Sequence, residues 1–240
     1  MALEQLHQYR TLALQSESWF QVSDGTLPVL VSAPHACMHN RDGLMKLEEE
    51  FTGAIARYLS MSTSCYSIYG VYQAVEDPNW HTDSEYKRAI TQLHKEVGFK
   101  FVIDLHGMLN SHGMGVALGT MHRQSCDPME VISAFQAHGF VETELASLPL
   151  NNEAVQPGRR LVVDHPRFTG GVRNHTVTRF ASEVLGIPSV QVELASVARV
   201  VFSPATEDWP QSYAGDHATI AAAVGGLEAL IKLKASGPSN

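Results

Sequence analysis

The chain has 240 residues, 44% of them hydrophobic and 18% charged, enough for one globular domain with a sizeable core. A net charge of -8 with no Lys/Arg-rich run excludes a general nucleic-acid binder, because phosphate binding wants a basic face. It leaves room for a small cationic pocket that takes an anionic metabolite.

In chain order, residues 2–16 predict an opening helix. Residues 28–33 form a short apolar run closed by Pro34, a buried strand. Leu47, Phe51, Ile55 and Tyr58 or Leu59 recur at helical spacing, predicting a helix over 46–60. Residues 65–75 are aromatic-rich and extended, and 83–97 form a helix that Asp83 or Ser84 caps. A strand follows at 100–105 and another at 114–119. Asp127 and Pro128 start a helix over 128–138 as cap and first residue. Strands are expected at 140–146 and 159–163, then a helix over 174–185 ended by Gly186. A strand over 187–194 and an Ala-rich helix over 211–234 complete a single domain spanning 1–234, with 235–240 as a disordered tail. Strands alternating with helices make this a layered α/β domain, whose ligands sit beyond the carboxyl ends of the strands.

The cysteines Cys37, Cys65 and Cys126 form no Cys-x-x-Cys pair, as expected of reduced thiols. The N-terminus has no basic region followed by an apolar one, and no stretch is apolar for long enough to span a bilayer. A cytoplasmic protein that binds no membrane is the expectation. No Gly-x-Ser-x-Gly elbow and no phosphate loop occurs.

Three apolar strands end in chemistry-bearing side chains: His35, His106 and Glu193. Asp104, two residues before His106, shares its face and can orient a histidine through the second ring nitrogen. His39 lies four residues past His35 in a loop that can fold both onto one ion. Further candidates for a third metal ligand are Asp42, Glu48, His81 and Asp83. The acids Glu48–Glu50 open the predicted helix, where they complement its dipole. A catalytic zinc keeps three protein ligands and one open position, and a nearby carboxylate takes the proton of water. Glu193 suits that second task, with Gln191 on its face. Gly170–Gly171 followed by Arg173 and Asn174 offers donors for a substrate carboxylate, and Arg41 is a further candidate.

Ser-Ala-Pro-His35, Asp77-Pro-Asn with Trp-His-Thr-Asp83, Ile-Asp104-Leu-His106-Gly, Gly170-Gly and Gln-Val-Glu193 stand in the order seen in N-formylglutamate amidohydrolase-like proteins. The chain resembles that family over roughly residues 28 to 195, and the family is similar in fold to zinc carboxypeptidases and the aspartoacylase group. The resemblance implies a mixed central sheet flanked by helices and one zinc per chain. His35 and His106 match the first and last zinc ligands, and Glu193 matches the carboxylate that activates water. Arg173 falls near the region that binds the substrate carboxylate. The implied substrate is a small anionic amide such as an N-acyl amino acid. One departure stands out: the zinc carboxypeptidases carry a Glu three residues after the first histidine, and here that position is Met38. The second ligand must come from elsewhere, with His39 ahead of Asp83 and Asp42. A metal-free binding module, or an esterase or deacetylase using the same chemistry, are the alternatives.

Overall fold

A computed structural model describes residues 2–15, 17–145, 156–207 and 210–237. The chain runs through β1 (Gln8–Leu12), β2 (Phe20–Ser23), β3 (Leu27–Ala33), β4 (His39–Arg41), β5 (Leu44–Lys46), α1 (Thr52–Thr63) and β6 (Cys65–Gly70). It continues with β7 (Tyr72–Gln73), α2 (Glu85–Val97), β8 (Phe101–Met108), β9 (Val116–Gly119), α3 (Pro128–Gln136), β10 (Val141–Glu142) and β11 (Arg160–Val163). The last elements are α4 (Val177–Arg179), β12 (Ser189–Ala195), α5 (Ser196–Arg199) and α6 (His217–Ser236).

Among the described residues, eight strands form one mixed sheet in the order β10-β11-β9-β12-β8-β3-β6-β2. The centre, β12-β8-β3-β6, is parallel, while β9 against β12 and β2 against β6 are antiparallel. Helices cover both faces, as expected for a three-layer α/β domain with buried parallel strands. Val29, Val31, Phe101, Ile103, Leu105, Val190 and Val192 point one way and pack with Ile55 and Leu59 of α1, Phe135 of α3 and Leu227 of α6. The alternate residues Leu30 and Val102 point the other way and pack with Tyr86 and Ile90 of α2 and Val177 of α4. Period-two alternation therefore sends Asp104 and His106, and on β12 Gln191 and Glu193, to the α2/α4 face.

The connectivity opens a crevice. From β3 the chain passes through α1 to β6 on one side, whereas from β8 it leaves for β9 and β12 on the other. Neighbouring strands whose connections part in opposite directions leave space beyond their carboxyl ends. His35 and His106 flank that space.

Local signals account for most of the helices. The Ser84 hydroxyl accepts from Lys87 N, the Asp127 carboxylate accepts from Met129 N, and the Asp216 carboxylate accepts from Thr219 N, each capping a helix start. Three expectations are corrected. The helix expected over 2–16 is absent among the described residues 2–15: after one short 3-10 turn, β1 runs alongside β7, with Gln8 N donating to Val71 O and Met38 N to Tyr9 O. Pairing across the chain overrides local propensity there. The helix expected from 46 starts only at Thr52, because Phe51 adopts a left-handed conformation with φ 67° and breaks the helical path. The stretch expected as one helix over 174–185 is a short turn of α4 that continues as a π-helical turn over Phe180–Val184. The C-terminal helix runs through Ser236, two residues into the stretch expected to be a tail, and residues 238–240 lie outside the described residues. No helix among the described residues is long and apolar enough to cross a membrane.

Candidate metal centre

Five segments converge at the crevice: the turn after β3, the loop before α1, the loop after β7, the end of β8 and the end of β12. His35 is 5% exposed, His106 2% and Glu193 5%. The carboxylate of Glu49 bridges the two imidazoles: His35 Nδ1 lies 3.1 Å from Oε1 and His106 Nδ1 2.9 Å from Oε2. Gly107 N also donates to Oε2 at 3.0 Å.

The far ring nitrogens are held as well. His35 Nε2 faces Asp77 Oδ1 at 2.9 Å, and His106 Nε2 stands 3.2 Å from Asp104 Oδ1 and 2.7 Å from Asn79 Nδ2. Val177 N donates to Asn79 Oδ1, so the amide turns its Nδ2 toward His106. Asp104 takes a second set of donors from Thr178 N and Oγ1. With a carboxylate behind each histidine, both Nδ1 atoms face the Glu49 carboxylate, and such outer carboxylates orient metal-ligating histidines.

The charges follow from these contacts. Burial alone would lower the His35 pKa, but the Glu49 and Asp77 carboxylates overcome it and raise it to about 9. Burial likewise opposes the charged form of His106, and Asp104 and Glu49 push its pKa well up. Burial raises the Glu49 carboxyl, yet His106 and His35 hold it well below the usual carboxylate range. Burial pushes Glu193 up to about 8, a shift that His106 opposes and Glu49 reinforces.

His35, Glu49 and His106 bring two imidazole nitrogens and a carboxylate within 4.8 Å of one another. Two histidines and one glutamate make a three-ligand set with an open position, as in catalytic zinc sites. The residues fit. A second buried group, His35, His39 and Asp77, shares His35.

Other expected site residues lie around this centre. His39 stacks on His35 with ring centroids 3.8 Å apart, faces Asp77 at 3.6 Å, and is kept neutral chiefly by burial, with a pKa near 3. Arg41 is committed to Asp77, with Nε donating to Oδ2 at 2.6 Å. Asp42 is exposed and holds Trp80 Nε1 and His81 Nε2, and Asp83 pairs with Arg88. Neither approaches the two histidines. Glu193 stands opposite His106 in the ladder, and its Oε1 accepts from Gln191 Nε2 at 2.9 Å. Gln191 Oε1 in turn accepts from Gly170 N. Gly170 has φ 77°, and a Cβ there would stand 2.6 Å from Gly119 O, so only glycine lets the loop lie this close to β9. Arg173 and Asn174 follow, exposed, and line two cavities. The first, about 440 Å³, is shared with Arg167 and reaches Gln191; the second, about 560 Å³, is shared with Trp80 and His81.

Glu49, Asp77 and Asn79 contact the two histidines in places that the sequence had not assigned to them. For Asp77 and Asn79 the signal was the Asp-Pro-Asn motif itself. For Glu49 it was the missing Glu after His35, which called for a carboxylate from another segment.

No protein-family model matches the chain, and neither does any curated protein. Among solved structures, N-formylglutamate amidohydrolase from Ralstonia eutropha JMP134 superposes over 91% of this chain and 97% of its own, at TM-score 0.56 and 10% identity. The fold is that of N-formylglutamate amidohydrolase. Weaker likenesses are a bacteriophage poly-gamma-glutamate hydrolase (TM-score 0.48, 14% identity, 91% and 92% covered) and a putative carboxypeptidase A from Shewanella denitrificans OS-217 (0.42, 13%, 90% and 60%).

Proposed function

We propose that this protein is a zinc-dependent amidohydrolase that cleaves a small N-acyl amino acid or related anionic amide, with one zinc per chain. The observation that carries it is the carboxylate of Glu49 set between the Nδ1 atoms of His35 and His106, with Glu193 beside them on the next strand. Glu49 supplies the carboxylate that Met38 does not. The fold shared with N-formylglutamate amidohydrolase supports the reaction class.

His35, Glu49 and His106 would hold the metal, which supplies a Lewis acid that brings the pKa of water toward neutrality. Asp77 and Asp104 fix the imidazole orientations from behind. Glu193 Oε2 accepts the proton of the attacking water and delivers it to the amide nitrogen as the C–N bond breaks. Gln191 holds the other oxygen, Oε1, and so sets the direction of Oε2. Arg173 and Asn174 take the substrate carboxylate from the cavity that reaches Gln191, where Arg167 adds a second cation. Arg41 acts on the site through Asp77.

The test is metal analysis of protein purified without chelator, followed by a panel of N-formyl, N-acetyl and ester substrates with and without a free carboxylate. About one zinc per chain and turnover of carboxylate-bearing amides are expected. Absence of zinc with no gain on adding it would favour a binding module, and turnover of esters alone would favour an esterase.

A further inference from the structure

Glu49 is held differently from its partners. His35 follows a strand and His106 lies within one, two residues before its end, but Glu49 lies between β5 and α1 in a stretch without regular structure, two residues before the left-handed Phe51. Its carboxylate must nevertheless keep a fixed place against two histidines from elsewhere in the sheet.

One buried side chain touches the segments of Glu49, His106 and Glu193. Arg199, at the end of α5, is 7% exposed. Its Nε donates to Leu194 O at 3.2 Å, the residue after Glu193. Its Nη1 donates to Glu50 O at 2.8 Å, the residue after Glu49. The guanidinium also lies flat against Gly107, the residue after His106: a Cβ at that position would stand 2.4 Å from Nε and 2.7 Å from Cζ. Gly107 N completes the circuit by donating to Glu49 Oε2. Burial works against the Arg199 charge and lowers its pKa, an effect that Glu49, Glu50, Glu193 and Glu4 oppose. Contact with three segments at once calls for a planar, branched donor; a lysine ammonium presents its hydrogens from a single point.

We propose that Arg199 is a positioning residue, which holds the Glu49 carboxylate against His35 and His106 and sets its separation from Glu193. This rests on reading those three residues as a metal site. Removing a supporting group behind a metal ligand typically lowers affinity about 10–100-fold.

The experiment measures zinc affinity by chelator competition, together with thermal unfolding of the metal-free protein, for wild type, Arg199→Lys and Arg199→Met. Both variants are expected to fold and to lose at least about tenfold in zinc affinity, because Lys keeps the charge but not the fork. A purely structural role predicts a lower unfolding temperature with wild-type affinity, and that result overturns the proposal. Should Arg199→Met not fold, Arg199→Lys decides together with Gly107→Ala, which displaces the guanidinium from the opposite side without changing charge. A wild type that binds no zinc overturns the metal reading and the positioning role together. Tight zinc binding in wild type and Arg199→Lys alike overturns the positioning role alone.

Discussion

The two faces of the central sheet are built from the same strands, yet toward the carboxyl ends of β8 and β12 they bury opposite kinds of side chain. Toward α1 and α6, β8 presents Phe101, Ile103 and Leu105, and β12 presents Val190, Val192 and Leu194. Toward α2 and α4 the alternate positions carry Asp104, His106, Gln191 and Glu193, all buried. One face gains stability by removing apolar surface from water. The other gives some of that up and must satisfy each polar atom instead, through Ser32, Tyr86, Thr178 and Asn79. A single strand can do both because its side chains alternate.

Substitutions on the two faces should therefore fail in different ways. The largest effect is expected for Glu193→Gln, which keeps the shape of the polar face but removes the proton acceptor. Turnover of the best substrate should fall about 10²–10⁴-fold with zinc content unchanged; a variant that turns over normally would remove Glu193 from the mechanism. Leu105→Ala, one residue before His106 but facing α1 and α6, should cost about 2–5 kcal/mol of stability in chemical denaturation. The fraction that remains folded should still bind zinc. Asp77→Ala strips the carboxylate from behind His35 and should weaken zinc binding about 10–100-fold, which a competing chelator measures.

The polar face should also respond to pH. Since the His35 pKa rises from 6.5 to about 9 on folding, the folded state holds the extra proton. Its contribution is complete below pH 6.5 and is lost as pH rises through about 9. Denaturation of metal-free protein should thus show stability falling across that window, and zinc added at pH 7 should release protons to an indicator dye. A flat profile would mean that Glu49 and Asp77 do not hold the charged imidazole. The smallest effect is expected for Ser84→Ala, at the start of α2, which should cost about 1 kcal/mol through the lost cap and leave zinc affinity untouched.

Much of this arrangement is legible in the chain. The alternation in Phe-Val-Ile-Asp-Leu-His already puts Asp104 and His106 on one face, and the caps at Ser84 and Asp127 lie next to the helices they start. Glu49 was not legible. It sits in a run of three acids before a helical pattern, where complementing a dipole is the local explanation, and only the left-handed turn at Phe51 takes it out of the helix. The opening strand was hidden for a related reason: the backbone partners of Gln8 and Tyr9 are Val71 and Met38, distant in sequence.

By itself, then, the sequence determined the layered α/β class, the strand that leads into His35 and those that carry His106 and Glu193, and the shared faces of Asp104 with His106 and of Gln191 with Glu193. Periodicity and capping act over a few residues and are written locally. Only the tertiary structure decided that Glu49 lies between the two histidines, that Asp77 and Asn79 stand behind them, and that Arg199 spans the three segments. Apart from Arg199 to Leu194, five positions apart, those contacts join residues 14 to 149 positions apart, and they exist only once the parting of the chain at β3 and β8 has opened a crevice for them to fill.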